Sequence, residues 1–418
     1  MGKHTPPLVR KIFSRGHIRG KIFSYLAAQD IASLRQTSSR IRKEITPTVF
    51  RTLKVTFQAL TFHPERVRAL GRIGHHVKIF RFVFPHSEET YMPPMLDPET
   101  KELISLVYEP SIRNGDLKGA SKFGNKMMDA LALNNYGIIL MSALDSHQFT
   151  KCFLSMKNLR TIIISCPGIP LGEPGRRCIV DFALLSLRTA IERSRPPRLR
   201  AIHFDPVHLS GVQHLLPGEF SPMRTSTNSP RVWNQIKKLT LKISAWVPLA
   251  SGQGTQLEYW THMRFLHRFL ENFPTVKNLS FGWTRESRGI CPLTLDAMPY
   301  MSPNQHGGPS VIVDRPLKFS KLHNLKLENV AVDSRAFKLF LGRHTTGFRE
   351  WNLDDVYFAS GTLEDALEPL RILPDNAIET SSETSLAQPE VQACHVVSFQ
   401  NLFEDCSFSL DEGIVLVS

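Results

Sequence analysis

The sequence predicts a mixed α/β protein: a small all-helical module at the amino terminus, followed by parallel strands that recur along the chain and are backed by helices. Three observations carry this expectation. A short apolar phrase, with apolar residues at its first, fourth and sixth places, returns through most of the chain. Several of these phrases directly follow a helical stretch. Ahead of them, about 35 residues hold three short segments with helical apolar spacing.

Length and composition set the frame. The 418 residues are 42% hydrophobic and 21% charged, as in an ordinary globular protein large enough for two or three domains. No apolar run approaches the roughly 20 residues of a membrane helix, and the start lacks the apolar core of a secretory signal. Cys152, Cys166, Cys178, Cys291, Cys394 and Cys406 are far apart and form no C-x-x-C pair. Free thiols in a reducing compartment, cytosol or nucleus, are the expectation.

Charge is divided between the ends. Residues 1–81 carry 17 Lys/Arg against 3 Asp/Glu, and residues 354–418 carry 1 against 13. The basic head suits an acidic protein, nucleic acid or an anionic surface. Its few aromatics argue against stacking on bases. The start also shares the acid-poor, Arg-rich character of a transit peptide, although Pro6-Pro7 and two glycines interrupt an amphipathic helix.

Within the helical module, Ile18, Ile22 and Leu26 recur every four residues, with Phe23 beside them. Asp30 sits early in the next segment, where a carboxylate favours the positive end of a helix, and Ile31 and Leu34 follow three apart. Ser38 or Ser39 can cap a third helix that places Ile41 and Ile45 on one face. Thr46-Pro47 is expected to stop it. Val49, Phe50, Leu53 and Val55 lead out of the module. A three-helix core of this size needs a neighbour or a partner to cover its apolar side.

Four pieces of this region fall in order at the spacing of one family. They are Ile22-Phe23-Ser24-Tyr25-Leu26, Asp30-Ile31-Ala32-Ser33-Leu34-Arg35, Ser38-Ser39-Arg40-Ile41-Arg42 and Phe50-Arg51-Thr52-Leu53. The region resembles the F-box in the form common in filamentous fungi. The family usually opens on Leu-Pro and an acidic residue; here Ser14, Arg15 and His17 stand in those places, and KIFS occurs twice, at Lys11–Ser14 and Lys21–Ser24. The resemblance implies docking to the adaptor Skp1 and, through it, to a cullin ubiquitin ligase. It assigns Ile18, Ile22, Phe23, Leu26, Ile31, Leu34 and Ile41 to adaptor docking or to the module core. A helical cap on the following domain, with no docking role, is the alternative.

The apolar phrase occurs at Val77/Phe80/Phe82, Leu133/Tyr136/Ile138, Leu159/Ile162/Ile164, Leu199/Ile202/Phe204, Ile236/Leu239/Leu241, Val276/Leu279/Phe281, Leu322/Leu325/Leu327 and Phe348/Trp351/Leu353. At this composition about 30 such triplets would arise by chance, so context has to carry the reading. Helical stretches at His147–Met156, Asp181–Arg193 and Tyr259–Phe273 lead straight into three of them. Helix then short buried strand, repeated, is the pattern of a parallel sheet backed by helices. This body is similar to an irregular leucine-rich-repeat horseshoe. It departs from that family in its steps near 40 residues and in having Val330 where the family's asparagine would stand.

The expected organisation is a basic extension at 1–13, the F-box-like module at 14–60, the repeat domain at 61–373 and an acidic segment at 374–418. Pro217–Pro230, Met298–Pro309 and Pro374–Gln392 read as loops, and Gly252-Gln253-Gly254 as a turn. Chemistry is not called for: there is no H-E-x-x-H, Walker loop or G-x-G-x-x-G. His63, His75, His76 and His86 have no Cys or carboxylate at ligand spacing, and Cys152 and Cys166 sit in apolar surroundings. Asp354-Asp355 and Glu404-Asp405 lack a nearby base.

The functional expectation is a non-catalytic substrate-recognition adaptor of an SCF-type (Skp1–cullin–F-box) ubiquitin ligase. Its partners would be a Skp1-like adaptor, the cullin complex and a protein substrate, with no cofactor and no membrane; nucleic acid is disfavoured, and a basic nucleic-acid-associated protein is a third reading. Substrate would lie on the concave face of the horseshoe, where Arg81, His203, Lys242, Trp283 and Glu328 are available. The alternative is an interaction scaffold whose F-box-like helices recruit no ligase.

Overall fold

The computed structural model describes residues 15–23, 25–56, 64–91, 110–112, 123–125, 146–168, 178–217, 229–244, 253–284, 289–297, 316–344, 347–371 and 396–398. The chain begins with three helices, α1 (Gly16–Phe23), α2 (Ala28–Thr37) and α3 (Ser39–Val49). Two local contacts start the second and third. The Asp30 carboxylate accepts from the Ala27 N–H at 3.2 Å, and the Ser38 hydroxyl accepts from the Arg40 N–H at 3.3 Å. Pro47 does not stop α3, contrary to the expectation. Its missing N–H removes one bond of the ladder, the one to the Lys43 carbonyl, and the helix continues past it, with the Phe50 N–H reaching the Thr46 carbonyl at 3.0 Å and Ile45, Val49 and Phe50 buried on either side.

The body then alternates strand and helix: β1 (Thr52–Thr56), α4 (Pro64–Ile73), β2 (Ile79–Val83), a hairpin of β3 (Pro110–Ile112) and β4 (Phe123–Asn125), α5 (Ser146–Ser155), β5 (Thr161–Ser165), α6 (Ile179–Ser194), β6 (Ala201–His208), α7 (Ser229–Asn234) and β7 (Lys238–Ser244). It continues with α8 (Gln253–Glu271), β8 (Asn278–Trp283), β9 (Gly289–Ile290), β10 (Asn324–Asp333), α9 (Ser334–Gly342), β11 (Glu350–Ser360), α10 (Leu363–Arg371) and β12 (Val396–Ser398). Gln253 and Gly254 open α8 instead of forming a turn.

Nine strands make one parallel sheet in the order β11-β10-β8-β7-β6-β5-β2-β1-β12, and the two-residue β9 pairs with the second half of β10. From β1 to β11 the order never reverses. The usual right-handed crossover delivers each helix to the same face, and on the other face most of the described strand side chains are exposed or half-buried. Successive elements of the helical layer pack on one another: α4 on α5, α5 on α6, α9 on α10. β12 departs from the sequence, pairing Val396 with Thr52 on the outer side of β1.

Register explains the spacing of the apolar phrase. The fourth places form one column, Leu53, Phe80, Ile162, Ile202, Leu239, Leu279, Leu325 and Trp351, each the direct partner of the next. The sixth places form a second, Val55, Phe82, Ile164, Phe204, Leu241, Phe281, Leu327 and Leu353. Both columns are buried against the helices except at the β11 edge, where Trp351 and Leu353 are half-buried. Seven of the eight phrases are thus strands, and Leu133/Tyr136/Ile138 lies outside the described residues. Phe50/Leu53/Val55 supplies an eighth strand, so the sheet begins inside the segment that the sequence reading gave to the helical module.

Aromatic rings join strands to helices, Phe80 meeting Phe153 at 4.9 Å and Phe204 meeting Phe269 at 5.4 Å, while Trp233 of α7 meets Phe273, just past α8, edge-on at 5.9 Å. Two charged side chains of α6 are buried and supplied with partners. Arg188 donates to the Leu216 carbonyl, and Glu192 accepts from Trp233 Nε1 at 3.0 Å. In place of the absent repeat asparagine, Asn329 takes a left-handed turn (φ 53°) within β10 and donates to the Thr284 carbonyl at 2.9 Å.

Leu239 sits mid-sheet with no exposure. Replacing it with Ala is expected to cost about 2–5 kcal/mol, measured as a lowered denaturation midpoint in urea. Leu353→Ala, at the half-buried edge, should cost clearly less.

Candidate docking surfaces

The seven module residues divide by burial. Phe23 and Ile31 are each 1% exposed and Ile41 is 8% exposed, and they belong to a hydrophobic cluster continuous with the core of the sheet. Ile22, Leu26 and Leu34 are half-buried and pack against that cluster from outside, and Ile18 is half-buried. The module is tied to the body through Ile45, Val49 and Phe50, all buried, with the Arg35 guanidinium 4.7 Å from the Phe50 ring centroid.

Tyr25 stands apart at 80% exposure, in the turn between α1 and α2. It follows the i, i+4 pair Ile18 and Ile22 and precedes Leu26, so partly apolar side chains flank an uncovered ring. Sequence reasoning placed Tyr25 within the motif without singling it out. The available signal was its position in the break between two helical segments, outside the Ile18–Ile22–Leu26 spacing.

The open face of the sheet presents the places between the apolar columns. Arg81 of β2 pairs across two strands with Asp205 of β6 at 3.2 Å, and Lys326 pairs with Glu328 along β10 at 3.3 Å. Lys242 is exposed on this face and His203 is half-buried. Trp283 does not belong there. It shares the parity of Leu279 and Phe281, is 1% exposed, and packs edge-on to Phe281 with its Nε1 donating to the Ile290 carbonyl at 3.2 Å.

At the carboxyl ends of the strands, buried histidines and a thiol gather. Cys178 Sγ lies 3.4 Å from His86 Nδ1 and 3.4 Å from Thr90 Oγ1. The ring of His86 meets that of His208 edge-on at 6.3 Å, and His208 Nδ1 is 2.7 Å from Ser210 Oγ. A Cys–His pair at a helix start would suit nucleophilic chemistry if the thiol ionised readily. Here burial, and then the nearby Asp181 carboxylate, push the Cys178 thiol up to about 11. Burial raises Cys152 and Cys166 further and Cys291 to about 12, so these four free cysteines are protonated packing residues at neutral pH. Among the described residues no three His, Cys, Asp or Glu side chains are grouped to hold a metal ion, and no helix is long and apolar enough to cross a membrane.

No protein-family model matches the chain, and no curated protein matches it by sequence. The surfaces are therefore interpreted on their own chemistry.

The buried histidines make a pH dependence. Burial holds His203 at about 4, His208 at about 3 and His262 at about 4, with neighbouring cations or histidines adding to the depression. In the unfolded chain these groups take up protons near pH 6.5. Between about pH 6.5 and 4 the unfolded state binds more protons, so stability falls as pH falls, at up to ~1.4 kcal/mol per pH unit for each histidine. Urea denaturation should show a lower midpoint at pH 5 than at pH 7, and His208→Asn should reduce the difference.

Proposed function

We propose that this protein is the substrate-recognition adaptor of an SCF-type ubiquitin ligase: α1–α3 dock a Skp1-like adaptor, and the open face of the sheet receives a protein substrate. The observation that carries the reading is the two-sidedness of the module. Phe23, Ile31 and Ile41 anchor it, while Tyr25 is exposed between the half-buried Ile22 and Leu26. An uncovered aromatic flanked by apolar residues, on helices held rigidly from behind, has the character of an interface anchor. The order of the four motif pieces supplies the choice of partner. The protein would bring substrate and ligase together and leave the chemistry to the ligase.

A scaffold that recruits no ligase is the second reading. It is favoured by the continuity of Phe23 and Ile31 with the core of the sheet, since helices that pack inward have less need of a partner.

The readings separate in a pull-down of the full chain with purified Skp1. Tyr25→Ala removes the exposed ring without touching the core and is expected to weaken capture at least about tenfold, as hot-spot aromatics do. Ile22→Asp/Leu26→Asp should abolish capture, with circular dichroism checking that the body stays folded. Absence of Skp1 binding by the folded wild-type chain would favour the scaffold.

A further inference from the structure

One residue before each of eight strands, the chain places a basic side chain: Arg51, Lys78, Arg160, Arg200, Lys237, Lys277, His323 and Arg349. These are the second places of the apolar phrase, and the backbone binds them into an unbroken file. The Arg51 carbonyl accepts from the N–H groups of Lys78 and Ile79, the Lys78 carbonyl from Arg160 and Thr161, and the Arg160 carbonyl from Arg200 and Ala201. The same pair of bonds, at 2.8 to 3.2 Å, carries the file through Lys237, Lys277 and His323 to Arg349. At the spacing of adjacent strands the file is about 34 Å long with one basic group every ~4.8 Å.

Six of the eight are exposed, and Lys237 and His323 are half-exposed. Their side-chain bonds are to neutral groups: Arg200 to Gln235 at 3.0 Å, Lys237 to Thr275 at 3.0 Å, and His323 to the Gly347 carbonyl at 2.9 Å. Among the described residues no carboxylate forms an ion pair with any of them. The crowding registers at Lys237, which is lowered by burial and then by Lys321, Arg200 and Lys277. A file of like charges held by the backbone weakens itself unless an anion lies along it.

We propose that this rim is a docking surface for an extended acidic polypeptide segment of a protein partner. A single strand of about ten residues matches the length, and its carboxylates can form charge-assisted bonds with the Arg and Lys groups in turn. The residues that follow the eight are Thr52, Ile79, Thr161, Ala201, Lys238, Asn278, Asn324 and Glu350, and none of these offers bases an aromatic ring to stack on. A single file, one group wide, fits one extended chain better than a membrane plane. The inference rests on the rim alone and does not depend on the ligase reading.

The test is fluorescence anisotropy of the full chain with a labelled decaglutamate peptide, run beside labelled decathymidylate and phosphatidylserine vesicles across a salt series. Lys78→Glu/Arg160→Glu/Lys277→Glu should weaken decaglutamate binding at least about tenfold, with a shallower salt dependence. Lys151→Glu/Arg264→Glu/Arg335→Glu makes the same change in net charge at exposed positions on the helical layer, off the rim and off the open face, and should leave binding within about twofold. Equal losses in the two variants would overturn the proposal, because binding would then follow net charge. So would tighter binding of decathymidylate or of the vesicles at matched salt. Binding that appears only after deletion of residues 372–418, which are rich in carboxylates, would replace the external partner with this chain's own segment.

Discussion

Two columns of side chains, Leu53 to Trp351 and Val55 to Leu353, govern the rest of the structure. Strand side chains alternate with a period of two, so a slip of one residue anywhere in the body would turn an apolar column toward water and a polar one into the helices. Eight strands must therefore share one register, and the residue that enters each strand must fall at the same height. The helix-covered face, the open face and the amino-end rim all follow from that requirement. So does the backbone ladder joining Arg51 to Arg349, since strands in register also align the residues before them.

That constraint sets what the sequence could reveal. The apolar phrase found seven strands because burial demands apolar residues at fixed places, whatever the length of the connections. It overlooked β1 because Phe50/Leu53/Val55 directly follows α3, and proximity to helices outweighed a pattern that was present. Pro47 differs from the local expectation because tertiary packing overrides it: Ile45, Val49 and Phe50 are buried on both sides of the proline. Trp283 was misplaced because it was treated as a strand-end residue without regard to parity, although Leu279 and Phe281 already fixed which side it occupies. The rim was visible as well. In the seven phrases that form strands the second places are Lys, Arg, Arg, Lys, Lys, His and Arg, and Arg51 holds the same place before β1. The proposed partner rests on resemblance; which apolar side chains stay uncovered was not legible, because Tyr25 differs from Phe23 in placement more than in chemistry.

The resulting molecule keeps its chemically distinct surfaces apart. One helical module carries an exposed aromatic, the open face carries mixed charges tied in pairs such as Arg81–Asp205, and the rim carries basic groups with no acidic counterparts among the described residues. Each draws rigidity from the same core, since the module, strands and helical layer share one hydrophobic cluster. Arrangements of this kind allow several polypeptides to be held at once without competing for a site. The thiols and histidines at the opposite strand ends contribute in another way. Buried and kept un-ionised, they fill space between helices and strands and make packing there sensitive to acid.

The position of β12 has a consequence for the way the chain is made. The sheet grows strand by strand in the order of synthesis, each new strand adding to the last, so most of its hydrogen bonds can form as the polypeptide emerges. The outer edge of β1 is the exception, because its partner begins only at Val396. At ordinary elongation rates that leaves the first-made edge open for tens of seconds, on the order of the time needed to add the intervening residues. An open parallel edge invites pairing with another nascent chain on the same messenger. Lys54 on that strand sets a like charge against its own copy in any such pairing, which works against it.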